Sequence, residues 1–306
     1  KNSVEAAHWW RKAAEQGHSE AQYFLGVMYD SGDGVVQDQL QALKWWKKAA
    51  EQGNTNAQLK LGIIYKNGSD TAEDYTQSFY WYKKVADQGD AGAQLNVGIM
   101  YEYGKGVGQD YSQAAFWYKK AAEQGQSEAQ ANLGWFYSNG KGVELDYTKA
   151  IEWYKKAAEH GNTSAQLSLG EIYKNGKGIP EDYTQAFYWY KKVAEQGDAS
   201  AQYNLGFMYE YGKGAAEDYT QAVHWYKKAA EQGDTQAQLN IALMYKYGTG
   251  VSEDYSQAVY WYKKAAEQGD TQAQLNLAAM YNAGEGVPEN YILAYKWSNL
   301  AAARGS

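Results

Sequence analysis

The chain has no cysteine among its 306 residues, which excludes disulfides, thiolate nucleophiles and cysteine-ligated zinc and leaves the redox compartment unmarked. It holds only two prolines and four histidines. The histidines, His8, His18, His160 and His224, are scattered, and none has a metal-ligand partner at helical spacing. Positive charge is in deficit: 29 Lys and Arg against 36 Asp and Glu give a formal net charge of −7, the wrong sign for the basic footprint that nucleic acid requires. No apolar run approaches the ~18 residues that crossing a bilayer takes, so no membrane insertion is expected. The glycine–lysine loops such as 104–106 lack the frame that cradles phosphate, and Asp30, Asp33 and Asp38 miss the spacing of a calcium loop. No metal and no cofactor is expected.

What is abundant is repetition. The stretch Ala201–Gly233, AQYNLGFMYEYGKGAAEDYTQAVHWYKKAAEQG, recurs at a spacing of 36 residues. The closing glycine falls at Gly17, Gly53, Gly89, Gly125, Gly161, Gly197, Gly233 and Gly269, and a tryptophan column runs from Trp9 to Trp297 in the same step. A fixed period of this size is the mark of stacked solenoid repeats, each burying its apolar face against its neighbours. The reading is one all-α solenoid domain over 1–306: a half repeat over 1–17 supplying only a second helix, then eight repeats over 18–305. The chain starts at Lys1 in mid-repeat without a methionine, so a signal peptide or further repeats are expected upstream.

Each copy reads as two helices. Ala201, Leu205, Met208 and Tyr209 fall on one face of the first, helix A. Asp or Asn precedes it in six copies, as in Asp198, ready to accept from the free N–H groups of a first turn, and Gly197 suits the left-handed residue that ends the helix before. Helix B opens at Asp218, which with Gln221 forms a capping box. Its Tyr219, Ala222, Val223, Tyr226, Ala229 and Ala230 make the buried face, and the tyrosines of helix B read as core. Gly206, replaced only by Ala242 and Ala278, predicts close approach of another helix backbone. Asp70 stands where other copies carry the second loop glycine, and the recurrent lysine pairs such as Lys227 and Lys228 read as a solvated face.

With the pattern AQxxLGxxYxxGxGxxxDYxxAxxWYKKAAEQG in hand, the chain resembles the Sel-one-like repeat family, relatives of the tetratricopeptide repeats. The resemblance covers the whole chain and implies antiparallel helix pairs in a right-handed superhelix with the A helices on the concave side. It also implies an adaptor or interaction scaffold, monomeric, with an exported setting favoured over a cytoplasmic one.

Positions that vary within this fixed frame are the candidate binding surface. Ser200, Asn204, Phe207 and Tyr211 form one stripe on helix A, which by resemblance faces the groove. Its second position is asparagine in five copies, Asn96, Asn132, Asn204, Asn240 and Asn276. Asparagine is a poor helix-interior residue, but its amide offers the donor and acceptor that an extended peptide needs; inheritance by duplication is the other reading. Tyr103, Trp135, Phe207, Tyr211 and Tyr247 add aromatics of the kind favoured at protein interfaces. The expected partner is a protein or peptide, with a host or envelope protein in view. Some relatives are described as β-lactam-binding or hydrolysing, and an enzyme reading would rest on Glu171, alone among apolar residues at its position and so a candidate acid; a surface glutamate is the plainer alternative. A structural spacer is the third reading.

Overall fold

Helices start and stop at the residues that punctuate the repeat. Gly197 closes one with φ +101°, and Asp198 opens the next by accepting from the Ala201 N–H at 2.8 Å. Asn54, Asp90, Asp234 and Asp270 do the same; His18 and Gln126 hold the position without a side-chain cap. The computed structural model describes residues 2–68 and 74–304, so Asp70 lies outside the described residues. Within them the chain is helical throughout, with no strand.

The chain forms two compact units, Lys1–Asn162 and Thr163–Ser306. The first holds α1 (Asn2–Glu15), α2 (Ser19–Ser31), α3 (Gln39–Glu51), α4 (Thr55–Asn67), α5 (Tyr75–Asp87), α6 (Ala91–Tyr103), α7 (Tyr111–Glu123), α8 (Ser127–Asn139) and α9 (Tyr147–Glu159). The second holds α10 (Thr163–Asn175), α11 (Tyr183–Glu195), α12 (Ala199–Glu210), α13 (Tyr219–Glu231), α14 (Thr235–Tyr247), α15 (Tyr255–Glu267), α16 (Thr271–Ala283) and α17 (Tyr291–Arg304). Even-numbered helices are the A helices and odd-numbered ones the B helices. Within each unit every helix packs on the next, A on B and B on the following A, giving a solenoid of antiparallel helix pairs.

The predicted faces are the buried ones. Ala201, Leu205 and Met208 of α12 and Ala222, Tyr226 and Ala229 of α13 are fully enclosed, each large side chain contributing about 1.5–3 kcal/mol through its burial. Three details correct the sequence reading. The small residue at Gly206 accommodates a ring rather than a backbone: a Cβ there would lie 2.7 Å from Cδ1 of Tyr226. Close backbone approach belongs instead to the second loop glycine, since a Cβ on Gly214 would meet the Tyr183 carbonyl oxygen at 2.0 Å with φ +76°. The capping box is half formed. Asp218 accepts from the Gln221 N–H at 3.0 Å, but its own N–H donates to the Tyr209 carbonyl, leaving nothing for the Gln221 side chain to take. This bond ties the start of each B helix to the end of the A helix before it.

The tyrosines of the B helices divide. Tyr82, Tyr118, Tyr190, Tyr226 and Tyr262 are core, whereas Tyr80, Tyr188 and Tyr260 are nearly half exposed. The lysine pairs lie over these outer rings, with Lys192 Nζ 4.9 Å from the Tyr188 centroid. The alkyl stems thereby shield aromatic surface while the ammonium stays wet.

Candidate functional site

The asparagine stripe does not present five equivalent side chains. On α6, Asn96 donates from Nδ2 to the Gly92 carbonyl at 2.9 Å and accepts from Lys66 Nζ at 3.1 Å. On α12, Asn204 donates to the Ser200 carbonyl at 2.8 Å and accepts from Lys174 Nζ at 2.7 Å. Two causes act together. A helical asparagine reaches back to the carbonyl four residues earlier, and a lysine at the end of the preceding A helix fills the acceptor. Asn276 accepts from Gln272 on its own helix at 3.2 Å. The side chain of Asn132 forms no hydrogen bond with the described residues.

Two clefts between consecutive A helices gather the remaining candidates. Between α6 and α8, Tyr103, Asn132 and Trp135 line a cleft of about 440 Å³ with Glu102, Gln109, Tyr111, Phe136 and Lys141. Between α12 and α14, Tyr211, Asn240 and Tyr247 line one of about 240 Å³ with Glu210, Leu243, Met244 and Thr249. Phe207 stays outside the second cleft and packs on Tyr211, ring centroids 4.6 Å apart. Trp135, Tyr103 and Tyr247 are exposed, at 42%, 63% and 66%, so each cleft presents aromatic surface to solvent.

A carboxylate is anchored in each cleft. The Tyr226 hydroxyl donates to Glu210 Oε2 at 2.6 Å, and Tyr118 donates to Glu102 in the same way. Burial pushes both phenols well above the ordinary value of 10.0, and hydrogen bonding to the glutamate adds to the shift, so both hydroxyls remain donors. Adjacent Glu102 and Glu210 likewise raise the exposed phenols of Tyr103 and Tyr211.

These glutamates were not among the sequence candidates. The signal that finds them is a longer period: MYEYGKG stands at 100–106 and again at 208–214, a step of three repeats. The clefts are therefore related copies, one in each compact unit. Glu171 lies elsewhere. The apolar surroundings expected for it are absent: it is exposed and pairs with Lys177 at 2.7 Å, the arrangement of a surface glutamate. Among the described residues no cluster of three or more histidines or acids could hold a metal ion, and no helix is long and apolar enough to cross a membrane.

Comparison with known proteins follows the same period. A family model described as the Sel1 repeat matches nine consecutive segments, 1–18, 19–54, 55–90, 91–126, 127–162, 163–198, 199–234, 235–270 and 271–306. Among solved structures, a protective antigen present in uropathogenic Escherichia coli strains, displaying an SLR fold, is 38% identical with a TM-score of 0.88. The match covers 98% of this chain and 64% of the antigen, so this chain spans just under two thirds of that relative. A Sel1 repeat protein from Oxalobacter formigenes is 34% identical with a TM-score of 0.77, over 98% of this chain and 86% of that one. No curated protein matches.

Proposed function

The chain belongs to the Sel1 repeat family, whose members are generally protein-interaction scaffolds, and from that premise we propose that it holds a segment of a protein partner against its A helices. The observation that carries this reading is the convergence of Tyr103, Asn132 and Trp135 in one open cleft. Rigid aromatics beside an amide with no internal partner combine contact area with a hydrogen bond that a peptide main chain can meet. Conserving the packing faces while varying this stripe separates the scaffold from its recognition surface.

The scaffold reading is favoured over catalysis because Glu171, the side chain on which an acid–base role would rest, is exposed on the helix surface and ion-paired with Lys177 at 2.7 Å. The test is capture of partners on the immobilised chain, repeated with Trp135→Ala. A specific partner should bind the native chain and lose affinity on that substitution; a partner indifferent to it would place the contact on the B helices or loops and overturn the reading.

A further inference from the structure

Two repeat positions 30 residues apart meet in three of the rungs between consecutive A helices, and the chain itself shows what they accept there. In the α14–α16 rung the same positions are Lys246, which lies over the Tyr247 ring at 5.6 Å, and Asn276, which accepts from Gln272. Between α2 and α4 the two positions are Asp30 and Lys60, paired at 3.1 Å. Between α4 and α6 they are Lys66 and Asn96, at 3.1 Å, and between α10 and α12 Lys174 and Asn204, at 2.7 Å. In these three rungs an ammonium sits on an oxygen of the neighbouring helix. In the Lys174 rung the seat is partly dehydrated: burial lowers that ammonium's pKa, a sign that its interactions occur in a medium of reduced dielectric.

At α6–α8 and α12–α14 the same two positions are Glu102 with Asn132 and Glu210 with Asn240. Both supply oxygen acceptors and neither supplies a cation. These rungs coincide with the two clefts. The tyrosine hydroxyl bound to each glutamate uses part of a carboxylate that offers about four lone-pair sites, and the aromatic walls present faces that attract cations.

We propose that each of these two clefts takes the positive head of a basic side chain from the protein partner, an arginine guanidinium or lysine ammonium, seated on Glu102 and Asn132 in the first and on Glu210 and Asn240 in the second. This deepens the scaffold reading and rests on it. The partner's charge completes the rung that an internal lysine completes elsewhere, and a guanidinium fits best because its plane stacks on rings while its N–H groups reach a carboxylate. Among the residues lining the clefts the one cation is Lys141, whose Nζ lies 4.9 Å from the Tyr111 centroid; its counterpart in the second cleft is Thr249. The second cleft therefore binds the charge more tightly, and Lys141→Thr raises the affinity of the first.

The experiment titrates the full chain with acetyl-Gly-Arg-Gly-amide and with the same peptide carrying citrulline, which keeps the shape and loses the charge. Binding is followed by calorimetry and by the tryptophan indole N–H signals, the Trp135 signal being identified with Trp135→Phe. The arginine peptide should occupy two sites, shift the Trp135 signal, and bind at least about tenfold more tightly than the citrulline peptide, the worth of one charge-assisted hydrogen bond. Glu102→Gln should abolish the first site and Glu210→Gln the second. Each glutamine still accepts from its tyrosine hydroxyl, and an unchanged thermal melt verifies folding. Equal affinity for the two peptides, no binding of either at about millimolar concentration, or sites that survive both substitutions would overturn the proposal. A captured partner weakened by Trp135→Ala but untouched by Glu102→Gln with Glu210→Gln would overturn it while leaving the scaffold reading standing. Indifference to Trp135→Ala would sink the scaffold reading itself.

Discussion

Gln232 donates from Nε2 to Oε1 of Gln202 at 2.8 Å, and Gln202 donates in turn to the Ala194 carbonyl at 3.2 Å. The first glutamine ends helix α13 and the second stands in the first turn of α12, so the bond joins the end of a B helix to the A helix before it. Gln52 with Gln22, Gln124 with Gln94 and Gln268 with Gln238 repeat the pair at 2.7 to 2.8 Å. An unpaired amide buried at these positions would cost about 1–3 kcal/mol, so the column of glutamines is polar yet held in the core by its own chain.

Two links in this series are missing, at Gln130 and at Gln274, whose buried Oε1 atoms find no partner among the described residues. For Gln130, His160 stands where the donor glutamine should be, and its Nδ1 donates instead to the Lys156 carbonyl at 2.9 Å. His160→Gln should restore the bond and stabilise the first unit by about 0.5–1.5 kcal/mol. Urea denaturation reads the change; an unaltered midpoint would show that Gln130 finds compensation by relaxing.

Gly206→Leu tests the ring contact. The added side chain begins 2.7 Å from Tyr226 and must displace a fully buried ring, so a loss of about 1–3 kcal/mol is expected from overpacking. Because each repeat leans only on its neighbours, hydrogen exchange should rise in α12 and α13 and stay nearly unchanged in α16 and α17. A uniform rise along the second unit would mean that it unfolds as a single block.

The helix pattern was legible because it depends on local signals, the spacing of apolar positions and the capping residues, that every copy repeats. The clefts were legible in part. Trp135, Tyr103 and Asn132 stood out as positions on the stripe of helix A expected to face the groove, and the structure brings them together. What the pattern could not supply was the occupancy of each asparagine, because that depends on which neighbour reaches it in space: Lys66 and Lys174 reach Asn96 and Asn204 from another helix, whereas Asn276 accepts from Gln272 on its own. Asn96 and Asn132 look alike in sequence; Lys66 precedes one and Glu102 the other. The buried glutamines were likewise visible as the invariant AQ pair, but their role appears only when the two ends of the bond are seen in space.

Alkali should unfold the chain through its core phenols. Burial raises the pKa of Tyr82 from 10.0 to about 12 and shifts Tyr118, Tyr190, Tyr226 and Tyr262 upward as well. The unfolded chain releases these protons near 10 while the folded chain retains them, so the native state binds more protons and stability falls with rising pH. Stability is fully present below pH 10 and is lost as pH climbs toward and beyond 12. Thermal melts with phenolate absorbance followed in parallel should show the Tm dropping through that window, with the core tyrosines ionising only as the fold is lost. A flat Tm across it would contradict the assignment of these rings to the core.

The sharpest contrast lies between two asparagines at the same repeat position. Asn204 is enclosed and accepts from Lys174 at 2.7 Å, so Asn204→Ala removes the acceptor from a half-buried ammonium. That loss should cost about 1 kcal/mol or more, because hydrogen bonds to charged groups sit at the strong end of the range and the lysine must find water instead. Asn132 makes no such bond, and Ala is the better helix former by a few tenths of a kcal/mol, so Asn132→Ala should leave stability unchanged or slightly raised. Partner binding should respond in the opposite sense, with Asn132→Ala weakening it by about threefold to tenfold, the worth of one neutral hydrogen bond, and Asn204→Ala changing it little. Measuring both quantities on both variants separates a residue that holds the solenoid from one that faces the partner. Equal stability losses would mean that Asn132 is structural after all, and equal binding losses would mean that the whole stripe, rather than the cleft between α6 and α8, forms the contact.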